Sequence, residues 1–154
     1  MIVRMYEDRD ALALFELNKT YRYGALEGFV PMGDDALAGG LGWILGIPGV
    51  EVVVAENEDG YIVGAIGMSY GPFCWNPKRK LASEVFMLMA DDAPPMALLM
   101  LMRKVEQRKS INGVKIQEWS ELHDNEDDVP ISRLGKIYKR MGMRPVQTLW
   151  MGEA

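Results

Sequence analysis

The chain has few residues with which to bind a metal or cross-link itself. Among 154 residues there is one cysteine, Cys74, and one histidine, His123. A single cysteine rules out a disulfide within the chain and fits a reducing compartment. One Cys and one His are also too few for an ordinary zinc site, so no metal is expected. Long apolar runs are missing too. The longest runs from Ala93 to Met102, 10 residues with two prolines near its start, too short to cross a bilayer. Met1 to Asp8 has no apolar stretch behind a basic start, so no signal peptide is read. Basic charge is not in excess, with 17 Lys and Arg against 22 Asp and Glu and a net charge of −5. A nucleic-acid binder draws much of its affinity from neutralising phosphates, so that class is disfavoured. The expectation is a cytoplasmic protein with neither a membrane nor a nucleic acid as partner.

Hydrophobic residues make up 49% of the chain and charged residues 25%, the balance of a folded domain. No repeat, low-complexity tract or linker breaks the sequence, so residues 1–154 read as one domain. Twelve methionines fall largely in predicted core segments, where Met is an adaptable filler; a Met-rich binding surface is the alternative.

Ile2 to Tyr6 reads as a strand, and Asp8 as the cap of a helix over 9–23 with Ala11, Leu14, Leu17 and Tyr21 on one face. Asp34 and Asp35 open a second helix that ends near Gly46–Gly49. Val50 to Ala55 is a buried strand. Asn57-Glu58-Asp59-Gly60 is a hairpin turn leading into a strand over 61–70. Gly71 to Pro77 reads as a loop and Leu81 to Met89 as the next strand. A helix follows over 96–109, with Leu98, Leu101, Met102 and Val105 at core spacing and its first two turns apolar all round, hence deeply buried. Asn112-Gly113 ends it. Val114 to Glu121 is a strand and 122–130 an acidic loop. Ile131, Leu134, Tyr138 and Met141 mark a last helix, closed by Gly142 and followed by a strand over 144–151. The order β-α-α-β-β-β-α-β-α-β implies a mixed sheet covered by helices.

That order, with Leu134-Gly135-Lys136-Ile137-Tyr138-Lys139-Arg140-Met141-Gly142-Met143 as an aliphatic–Tyr–x3–Gly–apolar ending, resembles the GNAT (Gcn5-related N-acetyltransferase) superfamily over nearly the whole chain. The resemblance implies an α/β fold with a mixed, mostly antiparallel sheet and helices on both faces. It also implies acyl transfer from acetyl-CoA, or another acyl-CoA, to a small-molecule or peptide amine. In that family the loop after the fourth strand carries Gln/Arg-x-x-Gly-x-Gly/Ala, whose backbone amides and following helix start cradle a diphosphate. Here Asp92, Pro95 and Ala97 stand at those places, and only Ala97 fits. Asp91 and Asp92 bring negative charge toward a polyanion, and Pro95 removes an amide donor. The donor would rest on Met89, Ala90, Asp92, Met96 and Ala97. A non-catalytic GNAT-like binding, assembly or virion-associated protein, of the kind that tailed bacteriophages encode, is the second reading. It would place the chain in host cytoplasm or virion.

The resemblance makes Tyr138 the acid for the leaving thiolate, against a ring that merely packs in the core. Glu84, alternating with Phe86 and Leu88, is the candidate base if that face is buried, and a surface charge if it is solvated. Glu118 and Glu121 fall on opposite strand faces, so at most one meets a cleft. His123 sits in a polar loop. Cys74 has no nearby His or Lys to activate it. The acidic run 124–128 lacks the spacing of an EF-hand loop. Lys78-Arg79-Lys80 is a small basic cluster, read as a loop, that suits a 3′-phosphate or a partner's acidic patch. The last strand is left as an edge open to a second copy or another protein.

Overall fold

The computed structural model describes residues 1–20, 33–120 and 133–144. Its contacts divide the chain into two compact units. The described part of the first comprises 1–20 and 33–119, and that of the second Ser120 and 133–144.

The first unit is built on a five-stranded sheet in the order β1-β2-β3-β4-β5. The strands are β1 (Ile2–Met5), β2 (Val50–Glu56), β3 (Ile62–Phe73), β4 (Asn76–Met89) and β5 (Val114–Glu118). All neighbours are antiparallel except β4 and β5, which run parallel. A parallel neighbour needs a long crossover, and helix α3 (Pro95–Asn112) supplies it. Helices α1 (Ala11–Thr20) and α2 (Asp34–Leu45) precede β2.

Helices cover both faces of the sheet. On one face Leu14 and Leu17 of α1 and Leu41 of α2 pack with Val52, Val54, Ala65 and Leu88. The alternate residues Val53, Ile66 and Met68 point to the other face and are fully buried. There α3 packs on β2 and β3 with Ala97, Leu101, Met102 and Val105 inward. Its first two turns are not buried all round as predicted, because Met96 and Leu99 are exposed. A helix lying on a sheet buries one stripe whatever the residues on its outer side.

Local chemistry explains most element ends. The Asn57 side chain accepts from the N–H groups of Asp59 and Tyr61 at 3.0 and 2.9 Å, closing the β2–β3 turn as predicted. Gly113, at φ 68°, stops α3 by donating to the carbonyls of Lys109 and Ser110. The start of α1 differs from expectation. A 3-10 turn covers Asp8–Asp10, and Asp10 does the capping, its carboxylate accepting from the Glu7 N–H at 2.9 Å. Arg4 clamps the same carboxylate at 2.6 and 2.8 Å and also reaches Glu56 at 2.7 Å. Ala11 is exposed rather than on the core face.

The predicted loop 71–77 is strand. β3 runs on to Phe73 and β4 begins at Asn76, leaving Cys74-Trp75 as the turn. Lys78, Arg79 and Lys80 therefore lie in β4 rather than in a loop. Pro72 and Pro77 disguised this segment. Proline lacks an amide donor but is tolerated where the ladder is irregular, and the register shifts between Pro72 and Phe73.

In the second unit, helix α4 (Arg133–Arg140) ends at Gly142, φ 80°. Met143 N–H donates to the Tyr138 carbonyl and Gly142 N–H to that of Lys139, both at 3.0 Å. This is the left-handed glycine stop that the sequence predicts. The acidic run 124–128 with Glu121 and His123, Ile131 of the last predicted helix, the proposed C-terminal strand beyond Arg144, and residues 21–23 of the first predicted helix lie outside the described residues.

Candidate active site

β4 carries an extra residue in the middle of its pairing with β3. Gly67 faces Phe86 and Met68 faces Glu84, so Val85 is left over as a bulge. The bulge overturns the expected face of Glu84. Side chains opposite one another share a face, so Glu84 lies with Met68 on the α3 side. Phe86 and Leu88 lie with Gly67 and Ala65 on the α1–α2 side. The alternation Glu84–Phe86–Leu88 holds only for a strand without an insertion. Glu84 is half-buried and has an interaction partner.

The bulge coincides with a parting of strands. β4 pairs with β5 only from Lys80↔Val114 to Ser83↔Glu118. Among the described residues, the edge of β4 over 84–89 has no strand partner on the β5 side. Its backbone groups can therefore pair with something extended. At the last shared rung Ser83 Oγ donates to Glu118 Oε2 at 3.1 Å. Glu118 thus holds to β4 on the face away from Glu84. Gln117, on the other face, receives Trp119 Nε1 at 3.2 Å and the Lys109 ammonium.

The turn after β4 leads into α3 and holds the other predicted residues. Met89 ends β4 with its thioether over Gly64, where a β-carbon would meet the sulfur at 2.7 Å. The Ala90 N–H is taken by the Val63 carbonyl at 3.0 Å, and that of Ala97 by the Pro94 carbonyl at 2.8 Å. Pro94 is the N-cap of α3 and Pro95 its first residue; neither has an N–H to give. Asp91 and Asp92 are exposed just before them. Met89, Ala90, Asp92, Met96 and Ala97 thus span the end of β4, the turn and the first residues of α3. Two of the amides on which a diphosphate would rely are already bonded within the protein.

In the second unit Tyr138 is buried, and its hydroxyl donates to the Ser120 carbonyl at 3.1 Å. The hydroxyl is therefore placed by the chain, not left at random at the end of a packed ring.

One polar cluster escaped the sequence reading. Glu51 of β2 receives Arg108 of α3 through two bonds, at 2.8 and 2.6 Å, and Asn112 at 3.4 Å. Arg108 holds the Glu51 carboxyl below its ordinary value. Tyr70 lies nearby with its hydroxyl buried and, among the described residues, without a hydrogen-bond partner, and burial pushes its pKa up to about 12. Glu51 and Tyr70 point to the α3 side by strand alternation, a signal legible only once the strand register is known.

No protein-family model matches the sequence, and no curated protein matches it significantly. Solved structures do match. A probable acetyltransferase shares 16% identity over 100% of both chains, with a TM-score of 0.76. A GNAT family acetyltransferase of Staphylococcus aureus shares 15% over 99% of this chain and 98% of its own, with a TM-score of 0.65. AAC(6')-Iy, solved in complex with the bisubstrate analog CoA-S-monomethyl-acetylneamine, shares 10% over 99% and 97%, with a TM-score of 0.69. With its five-stranded, mostly antiparallel sheet, its helices and its end-to-end match to these structures, the chain has the fold of the GNAT acetyltransferases.

Proposed function

We propose that the chain is an N-acyltransferase that moves an acetyl or other acyl group from acyl-CoA to a small-molecule or peptide amine. The observation that carries this reading is the parting of β4 from β5 after Ser83, at the bulge and one turn before α3. An open strand edge suits the amide-bearing arm of acyl-CoA, which can pair with it as a strand would. The neighbour solved with a CoA conjugate has the same overall fold.

Residues 84–89 would hold that arm, and Met89, Ala90, Asp92, Met96 and Ala97 would lie nearest the diphosphate. The fit differs between the two parts. The open edge of β4 suits the arm. The turn suits a diphosphate poorly, with Asp91 and Asp92 exposed and the amides of Ala90 and Ala97 engaged. Bound acyl-CoA supplies an activated thioester. Glu84 is the candidate to take the proton that the amine must lose, and the Tyr138 hydroxyl the candidate to return one to the leaving sulfur. For this, Tyr138 gives up its bond to Ser120.

The poor turn favours a second reading, a GNAT-like binding or assembly protein without catalysis, of which a virion-associated phage protein is one form. Calorimetric titration with acetyl-CoA and desulpho-CoA separates the two. Micromolar binding supports the enzyme, and no heat at millimolar ligand leaves the non-catalytic reading. If the donor binds, Tyr138→Phe and Glu84→Gln each lower turnover with little change in donor affinity; unchanged turnover removes that residue from the mechanism.

A further inference from the structure

The β3–β4 hairpin outruns the sheet that carries it. β2 pairs with β3 only as far as Ser69, and Tyr70 N–H still reaches the Gly49 carbonyl at 2.8 Å. β5 joins β4 only from Lys80. Beyond the Pro72↔Lys80 rung the hairpin goes on as a short two-stranded ribbon with one further pair, Phe73↔Asn76, and Pro77, Lys78 and Arg79 have no β3 or β5 partner among the described residues. Isolated two-stranded ribbons are marginal in water. Nothing in this one compensates internally, since Cys74 to Lys80 are all exposed and Trp75 at the turn is 86% exposed.

The ribbon also carries the opposite charge to its protein. Lys78, Arg79 and Lys80 are the only charged residues between Asp59 and Glu84, and none has an ion-pair partner among the described residues. With those three set aside, 14 Lys and Arg face 22 Asp and Glu. Just past the far end of the same strand stand Asp91 and Asp92, exposed and, among the described residues, without an ion-pair partner. From Lys80 to Asp91 is a step of 11 residues, most of it extended strand, so the two charged ends are roughly 36 Å apart at about 3.3 Å per residue. They cannot neutralise one another within one molecule.

From this we propose that the ribbon docks on a second copy of the chain, its cations against that copy's Asp91 and Asp92 and Trp75 buried beside them. A strand positive at its start and negative just past its end is self-complementary when two copies run antiparallel about a twofold axis. Each positive end then meets a negative one, and the contact closes on itself. Trp and Arg, the types that most often anchor interfaces, are both present on the ribbon. The basic cluster thus belongs to a protein contact.

Sedimentation velocity on the full chain tests this at 50 and 500 mM salt over a range of protein concentrations. The expected result is a concentration-dependent dimer, weakened at least tenfold by the higher salt. Trp75→Ala should weaken it at least tenfold as well. The triple variant Lys78→Glu, Arg79→Glu, Lys80→Glu and the double variant Asp91→Lys, Asp92→Lys should each be monomeric. An equimolar mixture of those two should recover the dimer, because the swapped charges again oppose. Circular dichroism confirms that each variant is folded before it is scored. A monomer at every concentration and salt, a dimer indifferent to the ribbon variants, or a mixture that stays monomeric would each overturn the proposal.

Discussion

The ring of Phe86 lies over Gly67, its Cε1 2.5 Å from where a β-carbon of Gly67 would stand. The contact joins the two sides of the bulge, since Phe86 is the first residue of β4 whose side chain returns to the α1–α2 face. Gly67→Ala should force the ring aside and destabilise the fold by about 2 kcal/mol, as other overpacked sites do. Gly71→Ala, with open space around its β-carbon position, is the control for losing a strand glycine. Chemical denaturation of both variants measures the difference, and equal stabilities would mean that the ring yields without cost.

Tyr70 should be better as phenylalanine. Its hydroxyl is buried with no hydrogen-bond partner among the described residues, so folding strips it of water and returns nothing from them. Removing a buried, unsatisfied group recovers about 1 kcal/mol, and the ring packing survives. Tyr70→Phe is therefore expected to raise the melting temperature by a few degrees. A loss of stability would show that the hydroxyl finds a partner in solution.

Acid should weaken the fold through Asp10 and Glu51. Hydrogen bonding to Arg4 holds the Asp10 carboxyl below its ordinary value, and Arg108 does the same for Glu51. A carboxylate with a depressed folded-state pKa adds stability above its unfolded value, near 4, and that stability is lost as pH falls through the folded value. Unfolding free energy should thus fall below about pH 4. Asp10→Asn should cost about 2 kcal/mol at pH 7, the worth of a charge-assisted hydrogen bond, and less at pH 3. Urea titrations of the two proteins at both pH values check this; a pH-independent difference would assign the effect to packing.

Two glycines at positive φ should respond unequally to alanine. Gly113, at 68°, has open space around its β-carbon position, so Gly113→Ala costs about 1 kcal/mol of backbone strain alone. Gly49, at 87°, adds a clash of 2.8 Å with the Tyr70 carbonyl oxygen. That is a backbone atom, which also accepts no easy shift because Tyr70 N–H is bonded to Gly49. Gly49→Ala should cost at least twice as much, read from the same denaturation series.

What the sequence revealed follows from which features leave a residue signature. The stops at Gly113 and Gly142 and the turn at Asn57–Gly60 need a left-handed glycine or a side chain that bonds its own backbone, and both are visible as residue types. The Met89–Ala97 turn could be located by counting from the strand and the helix around it. The bulge at Val85 could not, because an extra residue in a ladder changes no composition and only the partner strand reveals it. The face assigned to Glu84 failed for that reason alone. The ribbon failed differently, since Pro72 and Pro77 mark breaks in a sheet interior and are harmless near a hairpin tip where the ladder is irregular. The Glu51–Arg108 pair joins residues 57 apart, which no local pattern reports.

Val85 works like a half-twist in a ribbon cable, in that every wire beyond it changes sides. Delete that one residue and Phe86, Met87 and Leu88 trade places, so a leucine now in the oil would meet the opposite helix and a methionine would take its seat. A substitution on this strand changes one side chain, whereas gaining or losing a single residue there moves the whole stretch to the other face of the sheet. A pairwise alignment drawn straight through position 85 to a strand without the extra residue will compare side chains of one sheet face with those of the other.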